Sequence, residues 1–156
     1  MKVFISHKRE DSILALAIQK EFAKYGVSSY LDILDSSISG GGKELTDHIK
    51  DSLNSCTDII VVMSDATKTS WWVPFEVGMS AQVDMPTASF LSSEVALPSY
   101  LGYWPRLKTV SDISKYIAAR KRTEQIINEQ YFYYSSAAKK AIETRKFYET
   151  LKHELR

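Results

Sequence analysis

The stretch "DIIVVMS", residues 58–64, decides the fold, because five consecutive apolar residues in it are bounded by polar ones. A short, mainly β-branched apolar run is typical of a strand buried on both faces, as in the parallel sheets of α/β proteins. A half-exposed strand would alternate apolar and polar residues instead. The run therefore predicts a central strand of a parallel sheet.

A strand, a helix and a second strand are predicted upstream of this run. Residues 3–6 form a short apolar strand, and either Asp11 or Ser12 caps the helix that follows. Gly26 ends that helix, as glycine commonly does at a helix C-terminus, and residues 27–31 form the second strand. The predicted apolar face of the helix consists of Leu14, Ile18, Phe22 and Tyr25.

Two further helices are predicted on either side of the central strand. A loop over residues 32–42, which contains three consecutive glycines, leads into the first of them. The second is capped by Thr69 or Ser70, and Pro74 is tolerated there because the first turn of a helix has no intrahelical N–H bond to lose. The predicted buried face of the first helix consists of Leu45, Ile49 and Leu53.

Beyond the third helix the pattern changes. Pro86 ends that helix, residues 87–91 form a fourth strand, and a short fifth strand is expected within 107–110. Strands that alternate with helices predict an α/β fold with a parallel sheet and right-handed crossovers. We therefore expect a core domain over residues 1–110 and a helical extension over 111–156, packed on or beside it.

The composition is typical of one compact domain, with 156 residues of which 44% are hydrophobic. The net charge of +1 gives no reason to expect nucleic acid as a partner. Lys115 and the basic run 120–122 suggest either a nucleic-acid or membrane patch or a solvated helix face, and the acidic residues among them favour the solvated face.

The cysteine and histidine content argues against a disulfide and against a metal site. Cys56 has no second cysteine to pair with, and His48 and His153 fall in no metal-binding spacing. The apolar stretch at the amino terminus is too short for a signal peptide, and no segment approaches the ~18 apolar residues of a membrane span. We therefore expect a cytoplasmic protein without a metal and without a membrane segment.

Polar residues that follow the predicted strands are the candidate ligand contacts. Open parallel sheets bind ligands beyond the carboxyl ends of their strands, in the loops and at the starts of the following helices. The residues that meet this criterion are Ser6, His7, Lys8, Arg9, Asp32 and Glu76.

Glu76 is the candidate with the clearest chemistry. Trp72 lies one helical turn before it, and a carboxylate beside an aromatic wall suits a flat cationic ring. A helix N-terminus favours the ionised carboxylate by about 0.3–1 kcal/mol, which argues against a general acid. Ordinary glycoside cleavage needs two carboxylates because the leaving oxygen must be protonated. A pyridinium leaving group is already cationic, so that one carboxylate is enough.

Several motifs in this order resemble a Toll/interleukin-1 receptor (TIR) domain, in particular the bacterial members that cleave NAD⁺. The resemblance covers roughly residues 1–110. It implies a flavodoxin-like fold with a five-stranded parallel sheet. In this family the loop after the second strand is called the BB loop. The matching segments are "VFISHKRED", "YGVSSYLD", "DIIVVMS" and "WVPFE", the last of which fits the family pattern W-x-x-x-E.

This resemblance also implies roles for individual residues. Glu76 would be the catalytic glutamate that engages the ribose on the nicotinamide side, and Trp72 the indole associated with cyclic products. His7, Lys8 and Arg9 would line the nucleotide site, with the two cations near phosphates. NAD⁺ is then the substrate and no separate cofactor is needed. Self-association through the BB loop is expected, together with a separate effector protein that a diffusible nucleotide activates in bacterial antiviral defence of the Thoeris type.

Two other functions remain open at this stage. The domain is either such an NAD⁺ hydrolase or cyclase, or a non-catalytic TIR interaction module that acts as an adaptor or a host-mimicking effector through the same BB loop. A third possibility is an enzyme similar to the nucleoside deoxyribosyltransferases, which also use a glutamate on ribose. Release of nicotinamide from NAD⁺ distinguishes these alternatives.

Overall fold

The computed structural model of the chain describes residues 1–31, 42–91, 94–96, 99–131 and 135–156. Strands and helices alternate through the first two thirds of the chain, and two long helices follow. The strands are β1 (Lys2–Ser6), β2 (Ser28–Leu31), β3 (Asp58–Met63), β4 (Thr87–Leu91) and β5 (Arg106–Leu107). The helices are α1 (Ser12–Lys24), α2 (Gly42–Asn54), α3 (Trp72–Gln82), α4 (Asp112–Gln130) and α5 (Ser136–Glu154).

The five strands form one parallel sheet in the order β2-β1-β3-β4-β5. Strand β3 lies at its centre, and all six of its residues are buried. The prediction from the apolar run is therefore confirmed, and the α/β fold class with it. Strand β5 is shorter than expected, since only Arg106 and Leu107 pair with β4.

Helix α1 packs its apolar face on the sheet largely as predicted, with Ile18 and Phe22 fully buried. Tyr25 is an exception: it lies beyond the last helical residue and is 46% exposed. Gly26 follows with a φ of +70°, a left-handed conformation that favours glycine and reverses the chain into β2. The prediction for Tyr25 was wrong because the helix ends before the next turn brings that position to the sheet.

Helix α3 begins later than the sequence suggested. Its first residue is Trp72 and Trp71 occupies the N-cap position, so neither Thr69 nor Ser70 is the cap residue. The Ser70 hydroxyl nevertheless accepts a hydrogen bond from the backbone N–H of Val73 at 3.3 Å. A side chain just outside the helix therefore satisfies one of the open donors of its first turn.

Helices α4 and α5 share the hydrophobic core of the sheet. The rings of Tyr116 and Phe147 are fully buried and meet edge to face, with centroids 5.0 Å apart. Tyr148 accepts a hydrogen bond from the backbone N–H of Thr87 at the start of β4, at 3.1 Å. The boundary at residue 110 stays a prediction, but the packing joins residues on both sides of it. Within the described residues, no helix is both long and apolar enough to span a membrane.

A buried ionic cluster fixes α4 and α5 at the amino end of the sheet. Asp58, the first residue of β3, is fully buried and lies 2.7 Å from Nε of Arg120 and 2.8 Å from the Tyr116 hydroxyl, which donates to it. Arg120 also donates to Glu143 of α5 at 2.7 Å. Burial lowers the pKa of Arg120, but the interactions with Asp58, Tyr116 and Glu143 together outweigh that effect and leave the pKa raised. Arg120 is therefore a core ion-pair partner, and the prediction of a solvated face was wrong for this residue.

Candidate active site

The candidate site lies where β1 and β3 end, at the carboxyl edge of the sheet. Ser6 is the last residue of β1, and the chain after β3 makes a short 3-10 turn, Thr67–Thr69, before α3 begins. Glu76 is the fifth residue of α3, within its second turn. Ligands of open parallel α/β folds bind along this edge. Two of the predicted residues, Ser6 and Glu76, therefore meet at the expected end of the sheet.

The Ser6 hydroxyl donates a hydrogen bond to Oε2 of Glu76, which joins the end of β1 to α3. Ser6 is fully buried and Glu76 is only 1% exposed. A hydrogen bond to a carboxylate is stronger than one between neutral groups, so this contact fixes the orientation of the Glu76 side chain. Because Glu76 lies beyond the first turn of α3, the helix dipole contributes less to its charge state than the sequence suggested.

The two tryptophans before Glu76 have different surroundings. Trp72 is partly exposed and packs edge to face against Phe75, with ring centroids 5.9 Å apart. Trp71 is 90% exposed, so packing does not account for it. Trp72 and Glu76 are four residues apart on α3, a spacing that places them on the same side of a helix. The indole of Trp72 therefore retains surface with which a ligand ring can stack.

His7 follows Ser6 directly and is 5% exposed. Its Nδ1 lies 3.1 Å from the carbonyl oxygen of Ile5. A carbonyl can only accept, so Nδ1 is the donor in this contact, and Nε2 is the ring nitrogen left for another partner.

The predicted phosphate contacts differ in their positions. Lys8 donates to the Thr69 hydroxyl at 3.2 Å and lies 3.6 Å from Glu10, so its ammonium group bridges the loop after β1 and the turn before α3. Arg9 is exposed in the turn that precedes α1. Asp32 and most of the predicted BB loop lie outside the described residues.

Sequence reasoning missed a cluster of hydroxyl groups around Asp11. This residue occupies the N-cap position of α1, but its side chain makes no capping hydrogen bond there. Its Oδ2 instead accepts from the hydroxyls of Ser64 and Thr67, at 2.7 and 2.8 Å. The prediction of a side-chain cap was therefore wrong. The sequence offered no signal for the cluster beyond two hydroxyl residues placed after a strand.

In the described ranges no group of three or more His, Cys, Asp or Glu side chains is arranged to hold a metal ion. His48 interacts with the hydroxyl of Tyr30, with Nε2 and the oxygen 3.0 Å apart. Cys56 is buried, and burial raises the pKa of its thiol above the usual value. The absence of a metal from the site remains a prediction.

The fold and the location of these residues define a flavodoxin-like α/β protein with a polar site at the carboxyl ends of its strands. A family model for the TIR domain matches residues 3–101. The chain therefore belongs to the TIR domain family.

Two solved structures have a similar fold. The TIR domain of the Toll-related receptor TRR-2 from Hydra magnipapillata superposes with a TM-score of 0.59 at 16% identity, covering 80% of this chain and 96% of that one. A 2-deoxyribosyltransferase from Bacillus psychrosaccharolyticus has a TM-score of 0.59 at 11% identity, covering 72% of this chain and 90% of that one. Both similarities concern the fold alone. No curated protein matches the chain.

Proposed function

We propose that this TIR domain cleaves the bond between nicotinamide and ribose in NAD⁺, releasing nicotinamide and either ADP-ribose or a cyclic isomer. The observation that supports the proposal is the hydrogen bond from Ser6 to Glu76 at the carboxyl edge of the sheet. It orients a carboxylate where ligands of this fold class bind, one helical turn after an indole. The TIR family contains both NAD⁺-cleaving enzymes and non-catalytic adaptors, so membership alone does not decide between them.

The chemistry requires a single carboxylate. As the C1′–N bond of the nicotinamide riboside breaks, its electron pair leaves with the pyridinium ring, which departs as neutral nicotinamide. The ribosyl carbon becomes cation-like, and the Glu76 carboxylate stabilises that developing charge. Water then attacks the carbon and loses a proton to give ADP-ribose, or the adenine end of the same molecule attacks it to close a ring.

The burial of Glu76 imposes a condition on this mechanism. A side chain that is 1% exposed cannot touch a substrate until the groups that cover it move. Movement of loops at an active site is common and serves to exclude water during the reaction. The proposal therefore includes a rearrangement around Glu76 when the nicotinamide riboside enters.

The remaining candidate residues have supporting roles in this proposal. Trp72 stacks on a base and favours ring closure, which is one use of a partly exposed indole. Lys8 and Arg9 lie after β1 and contact phosphate oxygens, and Nε2 of His7 contacts a ribose hydroxyl. Asp32 is proposed as a further ribose contact from the sequence alone.

We further propose the biological setting from the family resemblance. The domain would act in the cytoplasm as an antiviral signalling enzyme that self-associates through the BB loop. The nucleotide product would activate a separate effector protein, and neither nucleic acid nor a membrane would be a partner. NAD⁺ serves as the substrate, and no cofactor is required.

The decisive experiment compares the wild type with Glu76→Gln. The purified chain is incubated at high concentration with NAD⁺, and nicotinamide is measured by chromatography. Glutamine keeps the shape and an acceptor for Ser6 but removes the charge, so we expect release to fall by roughly 100-fold or more. Glu124→Gln, an exposed glutamate of α4, is the control and should leave release unchanged.

Other outcomes assign the alternatives. If the wild type releases no nicotinamide, the interaction module is favoured, and transfer between 2′-deoxyribonucleosides should then be assayed. Release that Glu76→Gln does not reduce would show that another residue carries the reaction. A Trp72→Ala variant that forms the same proportion of cyclic product would refute the role of the indole.

A further inference from the structure

The carboxylate of Asp11 connects two loops that border the candidate site. Its Oδ2 accepts hydrogen bonds from Ser64, which follows β3, and from Thr67, which begins the turn before α3. Asp11 itself belongs to the loop that follows β1. One carboxylate oxygen therefore ties the carboxyl ends of two neighbouring strands together.

The hydroxyl of Thr67 is satisfied in both directions within this cluster. It donates to Asp11 and accepts from the backbone N–H of Ser64 at 3.2 Å, while the residue is only 2% exposed. A buried hydroxyl that loses its acceptor carries a desolvation cost, so the arrangement resists rearrangement. Hydrogen bonds to an ionised carboxylate are also stronger than those between neutral groups.

The cluster is connected to Glu76 through the 3-10 turn that precedes α3. Thr67 opens the 3-10 turn, and Ser70 at its end accepts from the N–H of Val73 in the first turn of α3. Lys8 adds a second link by donating to Thr69 in the same turn. The start of α3 is thereby fixed relative to β1, and β1 ends in Ser6, which contacts Glu76.

We propose that Asp11 is a positioning residue of this site: by holding Ser64 and Thr67 it sets the distance between Ser6 and Glu76. The proposal rests on the NAD⁺ cleavage proposed above. Asp11 has no described contact with Glu76, so it acts through the 3-10 turn. Catalytic side chains must be held within about 0.5 Å of their productive position, so a small shift caused by loss of the Asp11 contacts would lower the rate of the reaction.

Steady-state kinetics on the purified chain of residues 1–156 test the proposal. Asp11→Ala removes both acceptor contacts, and we expect kcat for nicotinamide release to fall roughly 10- to 100-fold with little change in KM. Asp11→Asn keeps an amide oxygen that accepts from both hydroxyls and should retain most of kcat. Asp51→Ala removes an exposed carboxylate of α2 and should leave kcat unchanged.

A second set of variants tests whether Asp11 acts through these hydroxyls. Ser64→Ala combined with Thr67→Val removes the same two donors, and with them the acceptors of two backbone N–H groups, so kcat should fall by at least the same factor. Adding Asp11→Ala to that pair should then change kcat by less than about twofold, because the shared contact is already lost. A further tenfold fall would overturn the proposal. If Asp11→Ala does not fold, the hydroxyl pair and Asp11→Asn carry the measurement.

Amide hydrogen exchange separates a failure of this proposal from a failure of the proposed function. We expect the backbone amides of residues 70–80 to exchange faster in Asp11→Ala than in the wild type, and Asp11→Asn to resemble the wild type. Faster exchange supports the positioning role even if the wild type releases no nicotinamide. Unchanged exchange together with unchanged kcat would overturn the role of Asp11, while nicotinamide release by the wild type would leave the proposed function intact.

Discussion

Two buried carboxylates lie at opposite ends of the sheet and differ in their partners. Asp58, at the amino end, contacts the guanidinium of Arg120 and accepts from the hydroxyl of Tyr116. Glu76, at the carboxyl end, accepts from the hydroxyl of Ser6. Asp58 is 0% exposed and Glu76 1%, so burial does not distinguish them.

The two carboxylates differ in the side chains that contact them. A cation and a phenol surround Asp58, which compensates its charge and makes it part of the core. Burial and the Asp58 charge raise the pKa of Tyr116 well above its usual value, so the phenol remains a donor. The Ser6 hydroxyl donates to Glu76 and orients its carboxylate. Asp58 therefore contributes to stability through its ion pair, and on our proposal Glu76 contributes to catalysis because it lies at the edge of the sheet where ligands bind.

Removal of the cation at the amino end should have the largest effect on stability. Arg120→Ala leaves Asp58 buried without its guanidinium, and we expect the free energy of unfolding to fall by about 3–5 kcal/mol. Denaturant unfolding measures this change. Arg122→Ala is the matched control, because its side chain is 64% exposed and its ion pair with Glu154 spans 3.9 Å. If Arg120→Ala abolishes nicotinamide release but leaves the free energy of unfolding unchanged, the assignment of Arg120 and Asp58 to stability is contradicted.

Loss of the hydroxyl at the carboxyl end should affect the reaction more than the fold. Ser6→Ala removes a hydrogen bond to a carboxylate, worth about 1.5–3 kcal/mol, which corresponds to a fall in kcat of roughly 10- to 100-fold. Nicotinamide release gives kcat, and thermal unfolding gives the change in stability. Ser89→Ala is the control, since this buried hydroxyl of β4 has no hydrogen-bond partner among the described residues. Equal kinetic losses in both variants would contradict the assignment.

A smaller loss of stability is expected from the phenol. Tyr116→Phe deletes one donor to Asp58 but keeps the ring against Phe147, so the free energy of unfolding should fall by about 1–2 kcal/mol. Chemical denaturation of Tyr116→Phe beside Tyr25→Phe measures it, because Tyr25 is 46% exposed and its hydroxyl should be dispensable. No measurable difference between the two variants would mean that the phenol adds nothing to the contacts of Asp58 with Arg120 and with the Thr57 hydroxyl, which donates to it at 2.6 Å.

The smallest effect should come from Asp112, a carboxylate stabilised largely by backbone. Burial raises its pKa, but hydrogen bonds from the N–H groups of Lys108 and Thr109, each 3.0 Å long, together with the Lys115 ammonium at 3.3 Å and the Thr109 side chain, outweigh that effect and leave the pKa below its usual value of 3.8. Its contribution is therefore present above about pH 4 and is lost as the pH falls through the lower folded-state pKa. When the pH is lowered from neutral to below about 4, the free energy of unfolding should fall further for the wild type than for Asp112→Asn. Parallel pH profiles of the two would disprove this.

Much of the fold could be predicted from the sequence because burial on both faces leaves a clear pattern. The run 58–63 and the glycine at residue 26 each have one natural interpretation, a central strand and a left-handed helix end. The family match over residues 3–101 agrees with the motifs quoted for it. Such features can be predicted from the sequence because they depend on residues that are adjacent along the chain.

The contacts that organise the site could not be predicted in the same way. The Asp11 carboxylate crosses to residues more than fifty positions away, although its local context is that of a helix cap. Arg120 sits in a basic run that is typical of a solvated face, and only the position of Asp58 makes it a core residue. Such partners depend on which strands become neighbours, and spacing along the chain does not encode that directly.

The partners of Asp58 are translated after Asp58 itself, because Tyr116 and Arg120 belong to α4. A ribosome delivers residues in sequence, so β3 with Asp58 emerges long before α4 and α5, which bring the guanidinium, the phenol and Phe147. Until those helices arrive, the nascent sheet keeps an unneutralised charge and an uncovered apolar face. The ion pair of Asp58 and the cover of that apolar face thus form only after α4 and α5 have been translated.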